Sequence, residues 1–338
     1  MSNLRIALDV MGGDAAPQAI LEGALLATRP GPRRVDASRI LLVGPQDRID
    51  AWLREHGGNP GFAIQNATQV IEMGESPAAA LRAKPDNSIS VSIGAVRKGA
   101  AAAALSMGNT GACVGAATLG LGTLDGVRRP GIAVTIALSG KPLTLIDMGA
   151  NIAPKPQDLL AYGLMGQAYS NACLGTAQPR VGLLNVGEEE GKGTDLCKEA
   201  WTLLKQSCPG FVGNVEGCDV FRDRADVIVT DGFTGNVALK LMEEMGGFLL
   251  GMVMRELKSH QAQWAGEALT HLKSKVDYAQ YGGALLLGLK GVMIIGHGRS
   301  DATAVANALW QGAQALDKGV NAAIQRTLAA APATPAAP

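Results

Sequence analysis

Short apolar runs recur along the chain, each followed by a turn rich in glycine and polar side chains and then by a stretch with helical apolar spacing. Runs of that length without polar alternation suit strands buried on both faces of a parallel sheet. Strand, turn and helix in succession predict an α/β fold: a Rossmann-like, open, mostly parallel sheet with helices on both faces. The first unit is Arg5-Ile6-Ala7-Leu8-Asp9-Val10, entering the turn Met11-Gly12-Gly13-Asp14, with Pro17 near the start of a helix. Ile40 to Gly44 leads into a helix carrying Ile49, Trp52 and Leu53, and Ser76-Pro77 reads as the cap and first residue of another. Ala101 to Leu105 is a strand that ends in Ser106-Met107-Gly108-Asn109-Thr110-Gly111 and opens a small-residue helix at Ala112.

The second half keeps the rhythm. Ile132 to Leu138 and Leu143 to Ile146 read as neighbouring strands around Ser139-Gly140-Lys141-Pro142, the latter ending in Asp147-Met148-Gly149-Ala150-Asn151. Arg180 to Asn185 feeds a loop that holds Lys192, and Val292 to Ile295 feeds Gly296-His297-Gly298-Arg299-Ser300. The clearest unit is Asp226 to Thr230, followed by Asp231-Gly232-Phe233-Thr234-Gly235-Asn236 and an apolar-periodic helix. Six strand ends thus carry polar glycine turns, and the expectation is that they converge along one carboxyl edge of the sheet, where open α/β sheets bind ligands. Lys240 to Tyr281 breaks the rhythm as a helical excursion, expected to be a protruding pair of helices. Its apolar stretch Gly246 to Met254 suits a dimer interface or core helix, or a tip that touches a membrane with basic flanks. No composition boundary divides residues 1–328, which read as one α/β unit, and the Ala/Pro-rich residues 329–338 read as a disordered tail.

Composition narrows the picture. Charged residues make up only 18% and the formal net charge is zero, which speaks against nucleic acid as a main partner. No apolar run reaches the roughly 18 residues of a membrane span, and the first strand begins too early for a signal peptide, so a cytoplasmic enzyme is expected. Cys113, Cys173, Cys197, Cys208 and Cys218 lack paired spacing and read as small packed hydrophobes.

Familiar motifs fail on inspection. Gly187 to Thr194 has three residues rather than four between Gly187 and Gly191, and Gly193 follows Lys192 where a P-loop needs Ser or Thr. Gly296 to Asp301 resembles a dinucleotide fingerprint, but Asp301 replaces its third glycine. No nucleophile elbow, zinc-helix motif or paired-cysteine metal pattern occurs, so no metal or cofactor is expected. What survives is an anion-binding cleft. Glycine turns at helix starts let amides approach an anion, and Lys192, His297, Asn109, Asp231 and Asn236 are candidate chemistry there. His297, flanked by glycines at a strand end, suits proton transfer or phosphate contact, whereas His56, His260 and His271 read as surface residues. Asp231 and Thr234 have a simpler reading as helix caps.

Taken in order, Ala7 to Asp14, Ser106 to Ala112, Asp147 to Asn151, Asp231 to Asn236, and Tyr281-Gly282-Gly283-Ala284 through Ser300 resemble the phosphate acyltransferases of bacterial phospholipid synthesis. The resemblance spans about Ile6 to Ala323. It implies reversible transfer of a fatty acyl group from acyl carrier protein to inorganic phosphate, with phosphate attacking the thioester directly and no covalent acyl-enzyme. It also implies a cytoplasmic homodimer near the membrane, beside the glycerol-3-phosphate acyltransferase that consumes acyl phosphate. On that footing Lys192 and Asn236 stabilise phosphate and oxyanion, Asp231 orients them, and His297 with Ser300 contacts phosphate or protonates the leaving thiolate. Asp9, Gly12, Gly13, Asp14, Ser106, Asn109, Thr110, Asn151, Thr234 and Gly235 would line the substrates. The rival readings are an acyl-CoA or acetyl-CoA phosphotransferase, a nicotinamide-dependent dehydrogenase on a related scaffold, and a catalytically silent protein that docks acyl carrier protein at the membrane.

Overall fold

Eleven short strands form one sheet in the order β3-β2-β1-β4-β11-β10-β5-β6-β9-β7-β8. The structure is a computed structural model and describes residues 4–136, 140–259, 266 and 282–332. The strands are β1 (Ile6–Asp9), β2 (Ile40–Gly44), β3 (Ala63–Asn66), β4 (Ala103–Ser106), β5 (Gly131–Ile136), β6 (Leu143–Ile146), β7 (Val181–Leu184), β8 (Phe211–Val215), β9 (Val227–Val229), β10 (Ala284–Leu287) and β11 (Val292–Ile295). Every residue of β1, β2, β4, β6, β9 and β11 is buried, as strands covered on both faces require.

The helices are α1 (Gln18–Ala27), α2 (Gln46–Glu55), α3 (Pro77–Ala83), α4 (Ser88–Arg97), α5 (Thr110–Leu121), α6 (Pro156–Tyr169), α7 (Asp195–Ser207), α8 (Gly232–Ser259), α9 (Ala302–Asp317) and α10 (Val320–Ala330). Alternation along the strands divides the core in two. Ile6, Leu8, Leu105, Val227, Val229 and Ile294 face α1, α2, α6, α7, α9 and α10. Ala104, Leu145, Ile228, Leu286 and Met293 face α3, α4, α5 and the first part of α8. The open, mostly parallel α/β sheet with helices on both faces is as expected.

Strand direction is not. β3, β2, β1, β4 and β11 run parallel to one another, but β10 is antiparallel to both β11 and β5, and β5 is antiparallel to β6. β9, β7 and β8 follow β6. Three reversals leave the two parallel halves pointing in opposite directions. The turns after β1, β4 and β11 therefore lie on one edge, and those after β6, β7 and β9 on the other. The expectation that all six meet on one edge is wrong.

Two boundaries also move. The excursion helix starts at Gly232, inside the polar turn itself, and runs unbroken to Ser259; the expected second helix, with His260 and His271, falls outside the described residues. α10 reaches Ala330, past the predicted start of the tail, and residues 333–338 are likewise outside. Among the cysteines, Cys113 and Cys208 are buried as expected, whereas Cys218 is exposed.

Candidate active site

On the first edge, three turns knit together beneath the surface. Asp9 is fully buried, accepts from the Ser106 hydroxyl at 2.6 Å and from the Met11 amide at 3.0 Å, and burial pushes its carboxyl above the usual range. Ser106 in turn accepts from the Gly108 amide. A Cβ on Gly12 would strike the Asp9 carboxylate, the Gly108 nitrogen and the Ser106 hydroxyl, so glycine there is the condition for the β1 and β4 turns to touch. The Asp14 amide donates to Gly298 and the Gly296 amide to Ser106, which brings in the β11 turn. Gly13 packs its backbone against Met107 and Gly298.

Asn109 is a clamp. Its Nδ2 donates to the carbonyls of Met73 and Glu75, both at 3.0 Å, and its Oδ1 caps α5 through the Ala112 amide. Thr110 is exposed at the first position of α5, and Asp14 is exposed in the turn after β1. Ser300 is buried, and its hydroxyl has no hydrogen-bond partner among the described residues.

His297 sits where two donors meet. The Arg299 amide points at Nδ1 from 3.1 Å and Lys240 Nζ lies 2.9 Å from Nε2. A neutral imidazole can accept at only one nitrogen and a protonated one at neither. Burial and then the Lys240 charge accordingly hold His297 below its usual pKa, with Glu243 pulling the other way. Lys240 also reaches Glu243 at 2.9 Å, and Arg299 reaches Glu244 at 2.8 Å. Lys240, Glu243 and Glu244 all belong to α8, and nothing in their local sequence marked them.

The opposite edge is built around Asp147. Its buried carboxylate accepts from the amides of Ile132, Gly149, Ala150 and Asn151 and from the Asn151 side chain, which shapes the β6 turn. Asn151 spends its Nδ2 on Pro130, Asp147 and the Tyr162 hydroxyl. Asp231 caps α8 by accepting from the Thr234 amide at 2.9 Å, and Thr234 itself is exposed. The Gly232 amide donates to the Asn151 carbonyl at 2.8 Å, and Gly235 lies so close to the Asp147 carbonyl that a Cβ would collide with it. The Asn236 amide group lies over Gly149. Lys192 is exposed on the β7 loop of this edge, two residues before Thr194, which caps α7 through the Cys197 amide.

α8 joins the two edges. Asn236 and Lys240 stand four residues apart on one helix face, about 6 Å along the axis, the first over the β6 turn and the second on the β11 turn. α5 starts from the first edge and α8 from the other, both on the same face of the sheet, so side chains from both edges can meet along the face between them. Phosphate and carbonyl recognition by amides, Asn236 and a lysine fits such a place. Among the described residues no cluster of metal-ligating side chains occurs, and no helix is long and apolar enough to cross a membrane.

The chain is similar along nearly its whole length to known proteins. The profile of a family described as fatty acid synthesis protein matches residues 4–323. A phosphate acyltransferase from Heliobacterium modesticaldum is 46% identical over 330 residues, 95% of this chain and 97% of that protein. One from Bacillus licheniformis is 40% identical over 331 residues, covering 96% and 98%. In three dimensions a phosphotransacetylase from Streptococcus pyogenes superposes with a TM-score of 0.61 at 14% identity, over 93% of this chain and 94% of that one, a likeness of fold.

Proposed function

Because the chain belongs to the fatty acid synthesis protein family and matches phosphate acyltransferases over nearly its whole length, we propose that it transfers a fatty acyl group reversibly from acyl carrier protein to inorganic phosphate, giving acyl phosphate. That full-length relationship is the observation that carries the reading. Phosphate attacks the thioester carbonyl directly, so no protein nucleophile is required. Lys192 and Asn236 stabilise the phosphate and the developing oxyanion. Asp231, as the cap of α8, holds Asn236 in place. His297, kept neutral, and the unpartnered Ser300 hydroxyl meet the phosphate or the departing thiolate. Asp9, Ser106 and Asn109 act beneath the surface by fixing the turns that carry Gly12, Gly13, Asp14 and Thr110, and Asn151 does the same for the β6 turn beside Thr234 and Gly235.

Residues 1–328 work as one acyltransferase unit, as a homodimer in the cytoplasm at the membrane surface, where a glycerol-3-phosphate acyltransferase takes up the product. The exposed apolar side chains of α8 support a surface of that kind: Phe233, Val237, Leu241, Met245, Phe248, Leu249 and Met252 follow one another at helical spacing.

Mass detection of acyl phosphate from acyl carrier protein thioester and inorganic phosphate tests the reaction, with acyl-CoA as the comparison donor. Folded Lys192→Ala and Asn236→Ala proteins should each lose about 100- to 1,000-fold in rate. Normal rates would remove both residues from the site, and preference for acyl-CoA would replace the donor.

A further inference from the structure

Beside the β6 turn, between it and the C-terminal half of α5, lies a cavity of about 380 Å³ whose polar lining is Arg128, Arg129, Asn151 and Thr118. The sequence pattern pointed at Asn151 but not at the two arginines. Their counter-charges are few. Arg128 lies 4.0 Å from the buried carboxylate of Asp158, which already accepts from the Lys155 amide. Arg129 is exposed and has no carboxylate within ion-pair distance among the described residues; its charge is felt at the Tyr162 hydroxyl below. The carboxylate of the neighbouring turn, Asp147, is saturated by four backbone amides and Asn151. It therefore braces its own loop and leaves the guanidinium forks unanswered. α8, with the positive end of its dipole, starts against Asn151.

A planar guanidinium with donors to spare matches the tetrahedral oxygens of a phosphate group in paired hydrogen bonds. The volume lies at the small end of ligand pockets, about 300–1,000 Å³, enough for a phosphate and part of whatever is attached to it. Leu119, 86% exposed, also lines the cavity, so an apolar segment could continue from a phosphate held there. We propose that Arg129, with Arg128 beside it, seats a phosphate group of the reaction's substrates: inorganic phosphate itself, or the phosphate ester of the donor's thiol-bearing arm. This rests on acyl transfer to phosphate and adds the binding residues that the sequence did not show.

The test uses the full-length protein and its Arg129→Gln and Arg129→Lys variants, checked for unchanged melting temperature. Inorganic phosphate is titrated in the absence of any acyl donor, read by phosphorus-31 line width. KM is measured separately for inorganic phosphate and for the acyl donor. Loss of charge-assisted hydrogen bonds should raise one of the two KM values about 10- to 100-fold in Arg129→Gln, with partial rescue by lysine, which keeps the charge without the fork. A rise for inorganic phosphate, with weaker line broadening, identifies the acceptor as occupant; a rise for the donor alone identifies its ester. Unchanged KM values and unchanged titration in folded Arg129→Gln would overturn the proposal. A wild-type protein that makes no acyl phosphate, yet broadens the phosphate line in an Arg129-dependent way, would instead overturn the reaction and leave the anion seat standing.

Discussion

At the scale of single residues, polar side chains at strand ends divide into those that hold the turns and those left free to act. Asn109 and Asn151 look alike in sequence to Asn236, yet their amide donors are consumed by neighbouring carbonyls and a tyrosine hydroxyl. Such distinctions depend on partners more than thirty positions away for Asn109, and no local pattern records them. His297 carries a measurable consequence. Its folded-state pKa lies below its ordinary value because burial and Lys240 oppose the charged ring. The unfolded chain then binds the proton at higher pH than the folded one, so stability contributed at neutral pH falls as pH drops through about 6.5. The melting temperature of wild type relative to His297→Gln should therefore decrease between about pH 7.5 and pH 5.5. A difference that stayed constant across that interval would contradict the arrangement of the ring between Arg299 and Lys240.

At the scale of elements, α8 is the decisive piece. Sequence spacing placed an apolar-periodic helix after Asn236 and a separate excursion from Lys240, whereas a single helix begins inside the turn, at Gly232, and carries both. The reason is packing: Gly232 and Gly235 let the first turn press against Asn151 and the Asp147 carbonyl, and tertiary contact outweighs the low helix propensity of glycine. A methyl group at position 235 would have to displace the helix or the β6 turn. Gly235→Ala should lower stability by about 1–3 kcal/mol, the usual cost of overpacking, and reduce acyl transfer because Asn236 moves with the helix. Urea denaturation followed by circular dichroism reads the first effect; wild-type stability in the variant would mean that the contact is looser than drawn.

At the scale of the whole molecule, the apolar side chains along α8 need a cover. Leu241 and Met245 are exposed on the stretch of helix that carries Lys240, and a second copy of the chain is the occupant proposed with the dimer. Light scattering on the wild type should give twice the 34.8 kDa chain mass, and Leu241→Glu combined with Met245→Glu should give the single-chain mass. A variant that stays dimeric would remove this stripe from the dimer contact. Vesicle sedimentation of a Phe248→Asp, Leu249→Asp protein then reports whether the later part of the helix meets lipid.

The sequence by itself determined the α/β class, the place of most strands, and the polar glycine turns that end them. Those features are written in local periodicity and in the few residue types that tolerate tight turns. It could not determine strand direction, since an apolar run reads the same whichever way it enters a sheet, so the turns were drawn onto one edge. Only the tertiary structure turned the second half of the sheet around and carried α8 back from Asn236 to His297. The same folding brought Arg128 and Arg129 to the wall beside Asn151. Proximity between residues far apart in the chain arises from burial of both sheet faces under helices, a property of the whole core that no single stretch contains.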